Sequence, residues 1–107
     1  MKFDYADKSD SRLVMASPFA LDYPNDVEWA PIRAGVYMFI DGEGEVVYIG
    51  KASGGRLKDD IKNRRGTSAE RDAVRYRWFQ TPCNQTASDL AADWIKKYTP
   101  RNNILGV

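Results

Sequence analysis

At 107 residues, with 43% hydrophobic and 29% charged side chains, the chain is expected to form one domain that buries its own core. The net charge of +1 gives no overall polyanion-binding balance, so any nucleic-acid signal must come from local clustering. With no histidine and one cysteine, Cys83, the composition excludes Ser-His-Asp and Cys-His catalysis, His- or multi-Cys metal sites and an intrachain disulfide.

Residues 1–33 carry weak signals. Asp10 and Ser11 offer a cap for a short helix through Met15, which Pro18 would end, and Pro24-Asn25-Asp26 reads as a turn. This stretch is expected to be an extension that packs Phe19, Leu21, Tyr23 and Trp29 onto the domain formed by residues 34–107. From Gly35 the pattern sharpens. Gly35–Ile40 and Val46–Gly50 are runs of β-branched and aromatic residues around the Asp41–Glu45 turn, a hairpin signal. Arg56 to Arg65, with Leu57 and Ile61 at i and i+4, predicts a short amphipathic helix. Ala73 to Phe79 alternates, which predicts a half-buried strand with Arg75 and Arg77 on its exposed face. Thr86 to Asp89 has capping-box spacing. The stripe Ala87, Leu90, Ala91, Trp94, Ile95 and Tyr98 predicts a helix that Pro100 stops. The expected fold is α/β (more strictly α+β), a small three-stranded antiparallel sheet flanked by helices.

The charge is asymmetric. Residues 1–45 hold four Lys/Arg against nine Asp/Glu, a net −5, and residues 46–107 hold twelve against six, a net +6. Lys51, Lys58, Lys62, Arg64, Arg65, Arg75 and Arg77, with Arg71, form a candidate phosphate-facing surface. No apolar run reaches the ~18 residues that span a bilayer. The start, with Asp4, Asp7 and Asp10, lacks the basic-then-apolar order of a secretion signal. A cytoplasmic setting without membrane contact is therefore expected. Nothing in the sequence speaks to oligomeric state.

Gly35-Val36-Tyr37, a short hairpin and Tyr48-Ile49-Gly50 resemble the signature of the GIY-YIG nuclease superfamily, which includes homing endonucleases and the catalytic domain of an excision-repair nuclease. Lys51-Ala52 after the second tripeptide, and Trp94 to Asn103 with its Pro-x-x-Asn, extend the likeness over about residues 34–105. The resemblance implies a DNA endonuclease that uses one divalent ion, Mg²⁺ or Mn²⁺. It makes Tyr37 and Tyr48 the residues that orient or deprotonate water. It makes Arg56 the phosphate-steadying arginine, with Arg64 or Lys58 as substitutes, and Asn103 the closing asparagine. Gly35 and Gly50 would let backbone and substrate approach closely.

The sequence departs from the pattern at Ala91, where the family's metal-binding glutamate stands. A methyl group cannot ligate Mg²⁺. Asp89 and Asp93, two positions away on the helix, point elsewhere. The expectation is an endonuclease domain that does not bind the metal and is inactive as it stands, through an engineered or a natural change. The alternatives are a catalytically silent nucleic-acid-binding module and, more remotely, a module whose basic helix meets an acidic protein.

Overall fold

The computed structural model describes residues 1–105. Its core is the antiparallel sheet β1 (Met15–Ala16), β2 (Leu21–Asp22), β3 (Gly35–Ile40), β4 (Val46–Ala52) and β5 (Arg75–Gln80). The strand order is β1-β5-β3-β4, and β2 also pairs with β5. The sheet thus has five strands rather than the three expected. The two extra ones come from the N-terminal stretch, with Met15 opposite Gln80 and Leu21 opposite Tyr76. Their two-residue lengths carry no alternation that a sequence could show, so only pairing with β5 reveals them. The expected helix from Asp10 to Met15 is absent. Instead Asp4 caps a 3₁₀ turn at Tyr5–Ser9.

Helix α1 (Leu57–Asn63) buries Leu57 and Ile61 on one sheet face, beneath Tyr37, Phe39, Tyr76 and Trp78. Helix α2 (Asn84–Tyr98) lays Ala87, Leu90, Ala91, Trp94 and Tyr98 on the other face, against Val36, Met38, Ile49 and Phe79. Ile95, expected on that stripe, is 36% exposed instead. The capping box does not form, because α2 starts three residues earlier, with Cys83 rather than Thr86 at its N-cap and no side-chain cap. Thr99 ends α2 in the left-handed conformation, and α3 (Arg101–Leu105) follows Pro100.

The N-terminal stretch is tied to the end of α2. Lys97 Nζ reaches Asp4 and Asp7, both at 2.9 Å, and the Tyr98 hydroxyl donates to Asp7 at 2.6 Å. Leu21 and Tyr23 are buried as expected, whereas Phe19 and Trp29 are exposed.

Candidate active site

β4 is an edge strand of the sheet. Its register with β3 sets Phe39 opposite Tyr48 and Tyr37 opposite Gly50. Directly opposed residues share a face, so Tyr37 and Tyr48 project from the same side of the sheet. Their ring centroids are 6.1 Å apart. A bulge at Val47, between the pairs Phe39–Tyr48 and Ile40–Val46, produces this register.

The two phenols have different surroundings. Tyr37 is fully buried. Its hydroxyl accepts from Arg64 Nε at 2.8 Å and donates to Asp60 Oδ2 at 3.0 Å. Arg64 also meets Asp60 at 3.4 Å, one helical turn away. Burial first, then the Asp60 charge, pushes the Tyr37 phenol well above its usual range, against the opposing pull of Arg64. Tyr48 is half-buried, its hydroxyl has no hydrogen-bond partner among the described residues, and the Arg64 guanidinium stands 5.8 Å from its ring centre.

Tyr48, Gly50, Lys51, Arg64, Ala91 and Asn103 line a cleft of about 390 Å³. A second hollow of about 330 Å³ adjoins it through Lys51 and Ser88 and adds Ser53, Asp60 and Asn84. Lys51 Nζ bridges the strand to α2 by donating to Ser88 Oγ at 3.2 Å. Asn103 closes one end, bonding both backbone groups of Ile49.

The remaining candidates scatter. Arg56 is exposed at the N-cap of α1 without a capping bond, and Arg64 is the arginine that reaches Tyr37. Lys58 and Lys62 turn to Glu28, Arg75 pairs with Asp22, and Arg65 is exposed. Arg77 is 4% exposed and sits over the Phe3 ring, 4.4 Å from its centre, so it does not belong to an exposed basic face. Strand alternation holds there, but the N-terminal stretch covers the face that alternation alone leaves open. The space beside both motif glycines is likewise filled from within. A Cβ on Gly35 would overlap the Phe79 carbonyl, and one on Gly50 the Tyr37 ring. Asp60, Asn84 and Ser88 are site residues that sequence reasoning misses. Only the i, i+4 spacing of Asp60 and Arg64 offers a signal.

The donor set does not suit a divalent ion. Ala91 presents a methyl, and among the described residues no group of three or more Asp, Glu or Cys side chains could hold a metal. Asp60, the carboxylate of the adjoining hollow, is already bonded by Arg64 and Tyr37. Asp93 pairs with Arg12, and Asp89 accepts from Gln85.

Comparisons with known proteins agree with this architecture. Residues 21–97 match a family described as a domain of unknown function (DUF7508). UvrABC system protein C of Clostridium perfringens is 29% identical over 90 residues, covering 78% of this chain. That of Saccharopolyspora erythraea is 35% identical over 81 residues, covering 69%. The chain spans 14% and 11% of these relatives' lengths. The GIY-YIG N-terminal endonuclease domain of UvrC from Thermotoga maritima, a structure bound to magnesium as its catalytic cation, aligns with a TM-score of 0.63 at 29% identity. The alignment covers 72% of this chain and 90% of that one. A point mutant of the same domain aligns at 30% identity with a TM-score of 0.62, covering 72% and 89%. The paired tyrosines, the edge strand held by Asn103 and the matched fold lead to one assignment: this chain belongs to the DUF7508 family and is a member of the GIY-YIG nuclease superfamily.

Proposed function

We propose that this domain binds the phosphodiester backbone of DNA in the Tyr48–Asn103 cleft and, with Ala91 at the metal position, does not hydrolyse it. The observation that carries this reading is the charge of the cleft. Among the described residues the side chains lining the Tyr48–Asn103 hollow include the cations Lys51 and Arg64 and no carboxylate, the Asp60 partner of Arg64 lying in the adjoining hollow. Such a surface favours a phosphate and disfavours a bare cation. In this reading Arg64 and Lys51 hold the phosphate, and Tyr48 is the phenol with access to it. Arg56 and Arg65, exposed and without an ion-pair partner among the described residues, extend the track along the duplex.

A second reading rests on the retained hydroxyl of Tyr48 at the cleft and on Asn103. The scaffold is that of a metal-dependent endonuclease lacking one ligand. A divalent ion, when held, would supply Lewis-acid stabilisation of the phosphate. Introducing the missing carboxylate distinguishes the two readings.

The test uses supercoiled and short duplex DNA with Mg²⁺ or Mn²⁺. The unaltered chain is expected to bind with a log–log salt slope of about −3 to −4, as for roughly four phosphate contacts, and to leave the DNA intact. No binding at low salt would reject the proposal. Metal-dependent nicking by the unaltered chain would reject the silent site. Nicking gained only by Ala91→Glu supports the second reading, and a folded, inert Ala91→Glu variant rejects it.

A further inference from the structure

Arg77 is a buried cation that the cleft does not use. It is 4% exposed, and its Nε and Nη1 atoms have no hydrogen-bond partner among the described residues. An arginine stays protonated at neutral pH, so it cannot escape burial by losing its charge. Its compensation is aromatic. The Phe3 ring centre lies 4.4 Å from the guanidinium carbon and that of Tyr5 5.2 Å. Ring faces attract a cation but are weak acceptors for its N–H groups, and buried donors are rarely left unmade.

The guanidinium borders a cavity of about 510 Å³ whose walls include Lys2, Phe3, Tyr5, Ile40 and Val74. No residue of this cavity also lines the Tyr48–Asn103 cleft. Two carboxylates, Asp41 and Glu43, also line the cavity, and Asp41 is committed elsewhere. It accepts from the backbone N–H groups of Glu43 and Glu45 at 2.9 Å and pairs with Arg101 at 3.3 Å. Arg75, also on the wall, pairs with Asp22. What remains is a hollow of mixed polar and apolar walls, with the buried Arg77 cation unpaired at Nε and Nη1 among the described residues, a second cation, Lys2, and the Glu43 carboxylate.

We propose that this cavity is a binding site, separate from the DNA cleft, for a small ligand that carries an oxyanion on an apolar body. The phosphate or carboxylate oxygens would take the unpaired Arg77 N–H groups, a charge-assisted pairing for which guanidinium geometry is suited. Phe3, Ile40 and Val74 would cover the apolar part. Tyr5, 70% exposed on the outer side of the guanidinium, is the ring that an entering ligand displaces.

The Arg77 Nε–Hε signal in nitrogen-15 NMR of the full chain reports this directly. Inorganic phosphate, benzoate and neutral benzyl alcohol are titrated in turn. A saturable shift with phosphate or benzoate and none with benzyl alcohol supports the site. Phosphate acting alone assigns a phosphorylated ligand, and benzoate acting alone a carboxylate. In Arg77→Met, binding followed on the Ile40 and Val74 methyl signals is expected to weaken by about 10–100-fold. No shift with either anion in the wild type, or an equal response to benzyl alcohol, overturns the proposal. That titration stands without the variant if Arg77→Met does not fold.

Discussion

The Asn103 side chain satisfies both backbone groups of Ile49: its Oδ1 accepts from the Ile49 N–H at 2.8 Å, and its Nδ2 donates to the Ile49 carbonyl at 2.8 Å. An amide side chain thereby imitates a neighbouring strand at the free edge of β4. The same contact places α3 beside the cleft and leaves the β4 edge less available to another chain.

Replacing Asn103 therefore acts on stability before it acts on ligand binding. Asn103→Ala is expected to cost about 1–3 kcal/mol, because two backbone groups lose their partners. Asn103→Asp keeps an acceptor but loses the donor to the Ile49 carbonyl, and so also destabilises. Urea unfolding should show a lower midpoint with little change in slope. An unchanged midpoint for Asn103→Ala would mean that water replaces the amide at no cost.

The tyrosine pair separates by the same logic. Tyr37→Phe strips a buried hydroxyl from Asp60 and Arg64 and should cost about 1–3 kcal/mol. Tyr48→Phe removes a hydroxyl with no protein partner among the described residues and should stay within about 0.5 kcal/mol. In an Ala91→Glu background that has gained cleavage, Tyr48→Phe should nevertheless reduce the rate by roughly 10²–10⁴-fold if its phenol handles the proton. Equal stability losses in the two variants would contradict the geometry.

Gly50 should tolerate no side chain. The Tyr37 ring and hydroxyl occupy the place of its missing Cβ, so Gly50→Ala must push the ring out of the core or move β4. A loss of about 1–3 kcal/mol is expected, together with shifted Tyr37 ring signals in NMR. Wild-type stability for Gly50→Ala would show that the ring moves aside freely.

Acidification should loosen the N-terminal stretch. The Lys97 side-chain hydrogen bond holds the Asp4 carboxyl below its usual range, and the Arg12 hydrogen bond does the same for Asp10. A carboxyl whose pKa is lower in the folded protein contributes stability that is present above its unfolded value, about 3.9, and is lost as pH falls through the folded value. The urea midpoint is thus expected to fall below about pH 4, with amide exchange around residues 2–10 accelerating first. Exchange there that is independent of pH-corrected chemistry between neutral and acid would count against these contacts.

Much of the domain is legible in the chain itself because its signals are local. The Gly35–Ile40 and Val46–Gly50 runs, the i, i+4 pair Leu57 and Ile61, and the Ala87–Tyr98 stripe each report burial through their own periodicity, and the Gly35-Val36-Tyr37 and Tyr48-Ile49-Gly50 tripeptides mark the hairpin beside which the cleft forms. The alanine at position 91 can also be read directly, since the lack of a carboxylate is a matter of composition. What the tertiary structure alone decided is which groups meet across long sequence separations. Met15–Ala16 and Leu21–Asp22 become strands only because β5 offers them an edge. Arg77 lies on the face that alternation assigns to it, yet Phe3 and Tyr5 bury it from more than 70 residues away in the chain. Arg64 rather than Arg56 meets Tyr37, because the hairpin register carries that ring over Gly50 toward the end of α1. Periodicity tells which way a side chain leaves its own backbone, and only packing determines what waits for it there.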